Sequence, residues 1–148
     1  MQREVRVSSS EDASRKSIVV KPDEGREYDM GRMRAVFFAD GEQTNNQYSI
    51  SEWSLEPRTE GPGAHSHPDD HIFCVQEGTL NLLVDGEQVD APYGSYALIP
   101  GGVSHDFCNT GAEACRFICI NVPAGFEQMM PQLVKWFADK PLGDVTAP

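Results

Sequence analysis

Gly61-Pro62-Gly63-Ala64-His65-Ser66-His67-Pro68-Asp69-Asp70-His71-Ile72-Phe73-Cys74-Val75-Gln76-Glu77-Gly78 is the stretch on which the reading of this chain turns. It holds His65, His67 and His71, three of the four histidines in the sequence. In an extended chain, residues two apart project to one side, so His65 and His67 present both imidazoles to one face, and His71 keeps that parity. Pro68-Asp69 predicts a kink or bulge that swings His71 back towards the first pair. A helix would also stack His67 on His71, one turn apart. Pro68 and the glycines flanking the segment make the helix the weaker reading.

The fourth histidine lies in Gly94-Ser95-Tyr96-Ala97-Leu98-Ile99-Pro100-Gly101-Gly102-Val103-Ser104-His105-Asp106-Phe107-Cys108-Asn109. Pro100-Gly101-Gly102 is a turn signature between two apolar stretches, which puts His105 at the start of a returning strand beside the first segment. A lone histidine is more often solvated or hydrogen-bonded than a ligand. Four at these spacings point instead to one site, because converging imidazoles ligate divalent metals readily. Gly61, Gly78, Gly94, Gly102 and Pro100 read as turn formers without a chemical role.

Both segments resemble the paired motifs of the cupin superfamily. The first family motif is His-x-His, three or four residues, Glu, six residues, Gly; here His65 and His67 match, His71 stands where Glu is usual, and Gly78 follows at the expected distance. The second is Gly, five residues, Pro, one residue, Gly, two residues, His, three residues, Asn, and Gly94, Pro100, Gly102, His105 and Asn109 match each fixed position. The resemblance covers about a third of the chain directly. It implies an all-β cupin double-stranded β-helix, a jelly-roll barrel, carrying one divalent ion (Fe, Mn, Ni, Cu or Zn) on His65, His67, His71 and His105. It is similar to small single-domain cupins of the quercetinase-like and polyketide-cyclase-like kinds. The departure at His71 matters: four neutral donors leave the ion's charge unbalanced and favour an anionic ligand such as an enolate or hydroxide. It also removes a carboxylate that can serve as base, leaving Asp69, Asp70 and Asp106 as the nearby candidates for proton transfer.

Composition fits one domain. The chain has 148 residues, near the modal domain size. Its formal net charge of −11, from 23 acidic and 12 basic residues, would repel a phosphate backbone and an anionic membrane. No apolar stretch approaches spanning length and the start is polar, so a cytoplasmic location is the expectation. Cys74, Cys108, Cys115 and Cys119 form no close Cys-x-x-Cys pair and read as reduced thiols packed as small hydrophobes, with Cys119 able to face a cavity.

Residues 1–20 read as a polar arm with a late strand at Ser17 to Lys21. Short alternating runs follow at Arg34 to Ala39, Tyr48 to Leu55, His65 to Gln76, Thr79 to Val84, Gln88 to Asp90, Tyr96 to Ile99, Val103 to Cys108 and Ala114 to Val122. Strands at this density, with Asp85-Gly86 as a hairpin turn, predict an all-β barrel or double-sheet jelly roll over 21–122. In 123–148, Phe126, Met129, Met130, Leu133, Val134, Trp136 and Phe137 recur at helical spacing, interrupted by Pro131, so two short helical turns or one helix are open. This stripe packs on the barrel, or else forms a lid or a dimer contact. Similar cupins often pair by exchanging an N-terminal strand, which makes a homodimer the expectation from the resemblance.

Inward parity predicts a pocket of Phe73, Val75, Phe107, Phe117 and Cys119 around the ion, apolar and aromatic, suited to a phenol, flavonol, β-diketone or polyketide. Three functions are compatible with these features: a metal-dependent dioxygenase using O2, a zinc-type Lewis-acid cyclase or isomerase, and a non-catalytic binding protein. No helix-turn-helix pattern accompanies the motifs, which weakens a regulator version of the last.

Overall fold

The computed structural model describes residues 16–145. Strands β1 (Arg26–Met30) and β2 (Met33–Ala39) lead to a one-turn helix α1 (Gly41–Thr44), then β3 (Ser49–Leu55), β4 (Asp70–Glu77), β5 (Thr79–Val84), β6 (Glu87–Pro92), β7 (Tyr96–Ile99), β8 (His105–Cys108) and β9 (Cys115–Val122). A 3-10 turn at Phe126–Met129 runs into helix α2 (Met130–Asp139). In β3 and β9 every second residue is buried, the signature of a strand with one face on a core. Antiparallel pairing builds a six-stranded sheet in the order β1-β2-β3-β9-β4-β7 and a three-stranded sheet β6-β5-β8. Their inner faces share one apolar cluster, with Phe73 and Phe117 on the larger sheet meeting Phe107 on the smaller at 6.2 and 5.5 Å between ring centroids. Each such fully buried aromatic contributes roughly 1.5–3 kcal/mol. The result is the expected all-β jelly roll with a short C-terminal helix.

The β5–β6 hairpin turns at Asp85 (φ 50°) and Gly86 (φ 83°), and both left-handed values are those of a type I′ turn. At the far end of the second motif, Asn109 is a staple. Its side-chain amide donates to the carbonyls of Glu56 at 3.1 Å and Glu113 at 2.7 Å, while its Oδ1 accepts from Gly111 N.

Several expectations are corrected. Ser17 to Lys21 forms no strand, and residues 1–15 of the expected arm lie outside the described residues, as do residues 146–148. The run from His65 to Gln76 is not one strand: Pro68 has no N–H to give a ladder, the chain bends at 68–69, and β4 starts at Asp70. β1 went unread because it is a largely exposed edge strand with little apolar alternation. α1 is announced by a capping box, Asp40 accepting from Glu42 N while Gln43 reaches back to Asp40 N. Pro131 sits in the first turn of α2, where its missing N–H costs nothing, so it separates the 3-10 turn from one regular helix. Among the described residues no helix is long and apolar enough to cross a membrane.

Candidate metal centre

The histidine loop is laid directly on the second motif. His65 and His105 exchange two backbone hydrogen bonds, 2.9 and 2.8 Å, and Gly102 N donates to His67 O at 2.7 Å. Gly61 and Gly101 are required by close approach rather than by turn conformation: a Cβ on Gly61 would collide with Phe107 O, and one on Gly101 with Pro68 O. Gly102, by contrast, sits at φ 86° and is the turn former it was expected to be.

This placement brings the four imidazoles together. Ring centroids lie 4.7 Å apart for His65–His67, 4.6 Å for His65–His105, 4.4 Å for His67–His71 and 5.3 Å for His71–His105. Backbone carbonyls of Gly63 and Val103 accept from Nδ1 of His65 and His105, an assignment made from the hydrogen-bond network, which leaves each Nε2 as the free lone pair. Nε2 of His67, His71 and His105 is buried with no hydrogen-bond partner. Buried polar atoms are normally satisfied, so three orphaned nitrogens in one place are what a metal's absent bonds would leave.

Burial first, and then the neighbouring imidazoles, lower the His67 pKa to about 4 and that of His71 to about 3. Burial likewise lowers His105. These rings are therefore neutral at pH 7, the state in which imidazole ligates.

The three candidate carboxylates separate. Asp70 Oδ1 accepts from Gly101 N at 2.8 Å, and Asp106 Oδ1 from Phe107 N at 2.8 Å and Gly63 N at 3.2 Å, so both serve the loops. Asp69 alone points into the centre, its side chain 11% exposed and Oδ2 3.1 Å from His71 Nε2. That approach has ion-pair distance, but the ring is neutral and Nε2 makes no hydrogen bond, so it is neither a salt bridge nor a hydrogen bond. Ligand atoms form two groups within 4.8 Å of one another, His65/His67/His105 and His67/Asp69/His71. The site thus contains a carboxylate, where an all-imidazole set was expected.

A cavity of about 370 Å³ opens beside the imidazoles. Phe73, Phe107, Phe117 and Cys119 line it as expected, whereas Val75 lies in the core and is not among the lining residues. Burial pushes the Cys119 thiol well up, so it is an inert wall rather than a nucleophile. Sequence reading missed Trp53 and Met33 in the wall, and Asn121, which is fully buried opposite His71 in the β4–β9 register. A polar residue at inward parity after Phe117 and Cys119 was the available signal for Asn121. The C-terminal stripe does two jobs: Met130 and Phe137 are buried, while Phe126, Met129, Leu133 and Trp136 line the cavity. Phe126 meets His67 and His71 edge to face, at 5.0 and 5.3 Å.

Residues 51–121 match the cupin domain family. The chain is 33% identical over 90 residues to quercetin 2,3-dioxygenase of Bacillus subtilis, covering 60% of this chain and 26% of that one. It is 30% identical over 73 residues to the HTH-type transcriptional regulator PuuR of Escherichia coli, covering 49% of this chain and 40% of the regulator. The chain therefore spans well under half the length of either relative. Among solved structures, the polyketide cyclase RemF from Streptomyces resistomycificus superposes with a TM-score of 0.65 at 16% identity, covering 90% of this chain and 88% of that one. With both histidine motifs, the jelly roll and these matches in agreement, residues 51–121 are a cupin domain.

Proposed function

We propose that this protein is a mononuclear metal-dependent cupin enzyme, a dioxygenase acting with O2 on a hydrophobic phenolic, enolic or diketone substrate. The observation that carries this reading is the set of three buried, unpartnered Nε2 atoms, of which those of His67 and His71 belong to residues lining an aromatic cavity. His65, His67, His71 and His105, with Asp69, are the residues that would hold a divalent ion. Such an ion supplies Lewis acidity and, if redox-active, a route for electrons between substrate and O2. The chain's own residues do the rest. Trp53, Phe107 and Phe126 offer flat apolar faces to an aromatic ring and exclude water from the imidazoles. Likeness to the B. subtilis quercetin 2,3-dioxygenase supports the redox version.

A second reading, a Lewis-acid cyclase or isomerase, is favoured by one observation: Asp69 stands beside the imidazoles as a base able to take a substrate proton. Elemental analysis of protein purified from its own host, followed by O2-electrode assays with flavonol and β-diketone substrates, tests the proposal. A redox-active ion near one per chain with substrate-dependent O2 uptake is the expected result. Zinc with no O2 uptake moves the reading to the cyclase, and no metal at all leaves a non-catalytic binding protein.

A further inference from the structure

A carboxylate that merely orients a ligating histidine binds the ring nitrogen remote from the metal. His65 and His105 show that arrangement, with backbone carbonyls on Nδ1. Asp69 does the opposite: its Oδ2 faces Nε2 of His71, the very atom left orphaned in the centre. With the His71 proton on Nδ1, an oxygen and a nitrogen lone pair stand 3.1 Å apart with no hydrogen bond between them, and a cation near both relieves their repulsion.

The stack of His67 on His71 adds a second constraint. Their planes are 4° from parallel at a centroid separation of 4.4 Å. In-plane lone pairs of stacked rings run side by side and do not meet at one point. The two lone pairs are thus not both aimed in plane at one point, and Asp69, whose ligand oxygen lies within 4.8 Å of both nitrogens, can complete a set with either ring.

Asp69 is held there by a buried network. Asn121, fully buried on β9, donates from Nδ2 to Asp69 Oδ2 at 3.0 Å. Its Oδ1 accepts from Ser49 Oγ at 3.3 Å and from Cys119 Sγ at 3.6 Å. These donors fix which way the amide faces, because the flipped amide would aim its oxygen at the carboxylate. His71 and Asn121 are cross-strand partners, so β4 and β9 present ring and amide to the same interior space.

We propose that Asp69 is a carboxylate ligand of the metal centre and that Asn121 is its positioning residue. This deepens the proposed function and rests on its metal site. The motif's usual carboxylate, displaced by His71, is thereby replaced by one two residues earlier in the chain, and the ligand set carries a negative charge. Asp69 as ligand leaves the site better matched to a neutral or singly ionised substrate than an all-imidazole set would be.

Cobalt(II), titrated into the metal-free full-length protein and followed by its visible absorption bands, tests this. Wild type is expected to bind one ion per chain. Asp69→Asn is expected to bind about 10–100-fold more weakly with displaced bands, and Asn121→Ala about tenfold more weakly with bands displaced in the same direction. Circular dichroism checks that each variant folds. If Asn121→Ala does not, Asp69→Asn decides the ligand role and Asn121→Ser decides the positioning role. Bands and affinity identical to wild type in Asp69→Asn overturn the ligand assignment while leaving the proposed function standing. Unchanged bands in a folded Asn121 variant overturn its positioning role. A wild-type protein that takes up no cobalt overturns both this inference and the metal enzyme.

Discussion

Asp69 Oδ2 stands 3.1 Å from His71 Nε2 without hydrogen bonding to it, a contact that a shared cation would make favourable. Removing metal should therefore leave a strained, less stable centre. Protein saturated with a divalent ion at a hundred times its Kd is expected to gain about 2.7 kcal/mol over the chelated form. Differential scanning calorimetry with and without EDTA measures this. An unchanged transition temperature would count against the site.

Acidification acts on the same imidazoles in the metal-free protein. His67 and His71 ionise near pH 4 and 3 in the folded state, against 6.5 for the model group. As pH falls, the unfolded chain takes up these protons first, so folding stability is full above about pH 6.5 and declines from there to about pH 3–4. Urea titrations across pH 4–8 should trace the fall; a shallower profile in the His71→Ala variant than in wild type identifies its share, and an unchanged slope would remove it.

Only one of the three acidic candidates faces the chemistry. Asp69→Asn is expected to lower turnover at least tenfold in either catalytic reading. Asp70→Asn and Asp106→Asn should instead cost about 1 kcal/mol of stability each through weakened loop anchors, with turnover of the folded fraction near wild type. Steady-state rates normalised to metal content separate these outcomes, and equal losses in all three would remove the distinction.

Asn109 touches no imidazole, although the family motif places it beside His105. Asn109→Ala leaves the partly buried carbonyls of Glu56 and Glu113 without their donor and is expected to cost about 1–2 kcal/mol. Metal stoichiometry of the folded variant should remain that of wild type, as measured by elemental analysis.

Phe126 covers the imidazoles from the C-terminal segment. Phe126→Ala is expected to raise KM for an aromatic substrate several-fold, while Phe37→Ala, in the core away from the cavity, should cost about 3–5 kcal/mol. Paired kinetics and denaturation curves would show the two effects dissociating; a KM unchanged in Phe126→Ala would show that this ring does not shape the substrate's seat.

The fold was legible where period-two alternation is present, as in Thr79–Val84, and where Asp85-Gly86 dictates a turn. It was illegible at β1, whose exposed edge gives no alternation, and between His65 and Asp69, where proline ends the ladder but parity alone suggests a longer strand. The histidines could be grouped from spacing because their backbone segments are neighbours. The role of Asp69 could not, because it depends on Asn121, 52 residues away. Likewise, parity put Val75 and Phe73 on one face, yet in the fold Phe73 lines the cavity while Val75 is packed within the core.

Three of the four imidazoles, and Asp69 with them, come from residues 65–71, so most of the ligand set is a short peptide before it is a folded site. An unfolded or nascent chain already carries a chelating segment. Metal affinity measured on the native protein will then overstate how far the ion shifts the folding equilibrium, since the denatured chain competes for it. His105, the member contributed from a distant part of the chain, is what makes the ion discriminate folded from unfolded. The double hydrogen bond between His65 and His105 is accordingly where binding and folding become one equilibrium.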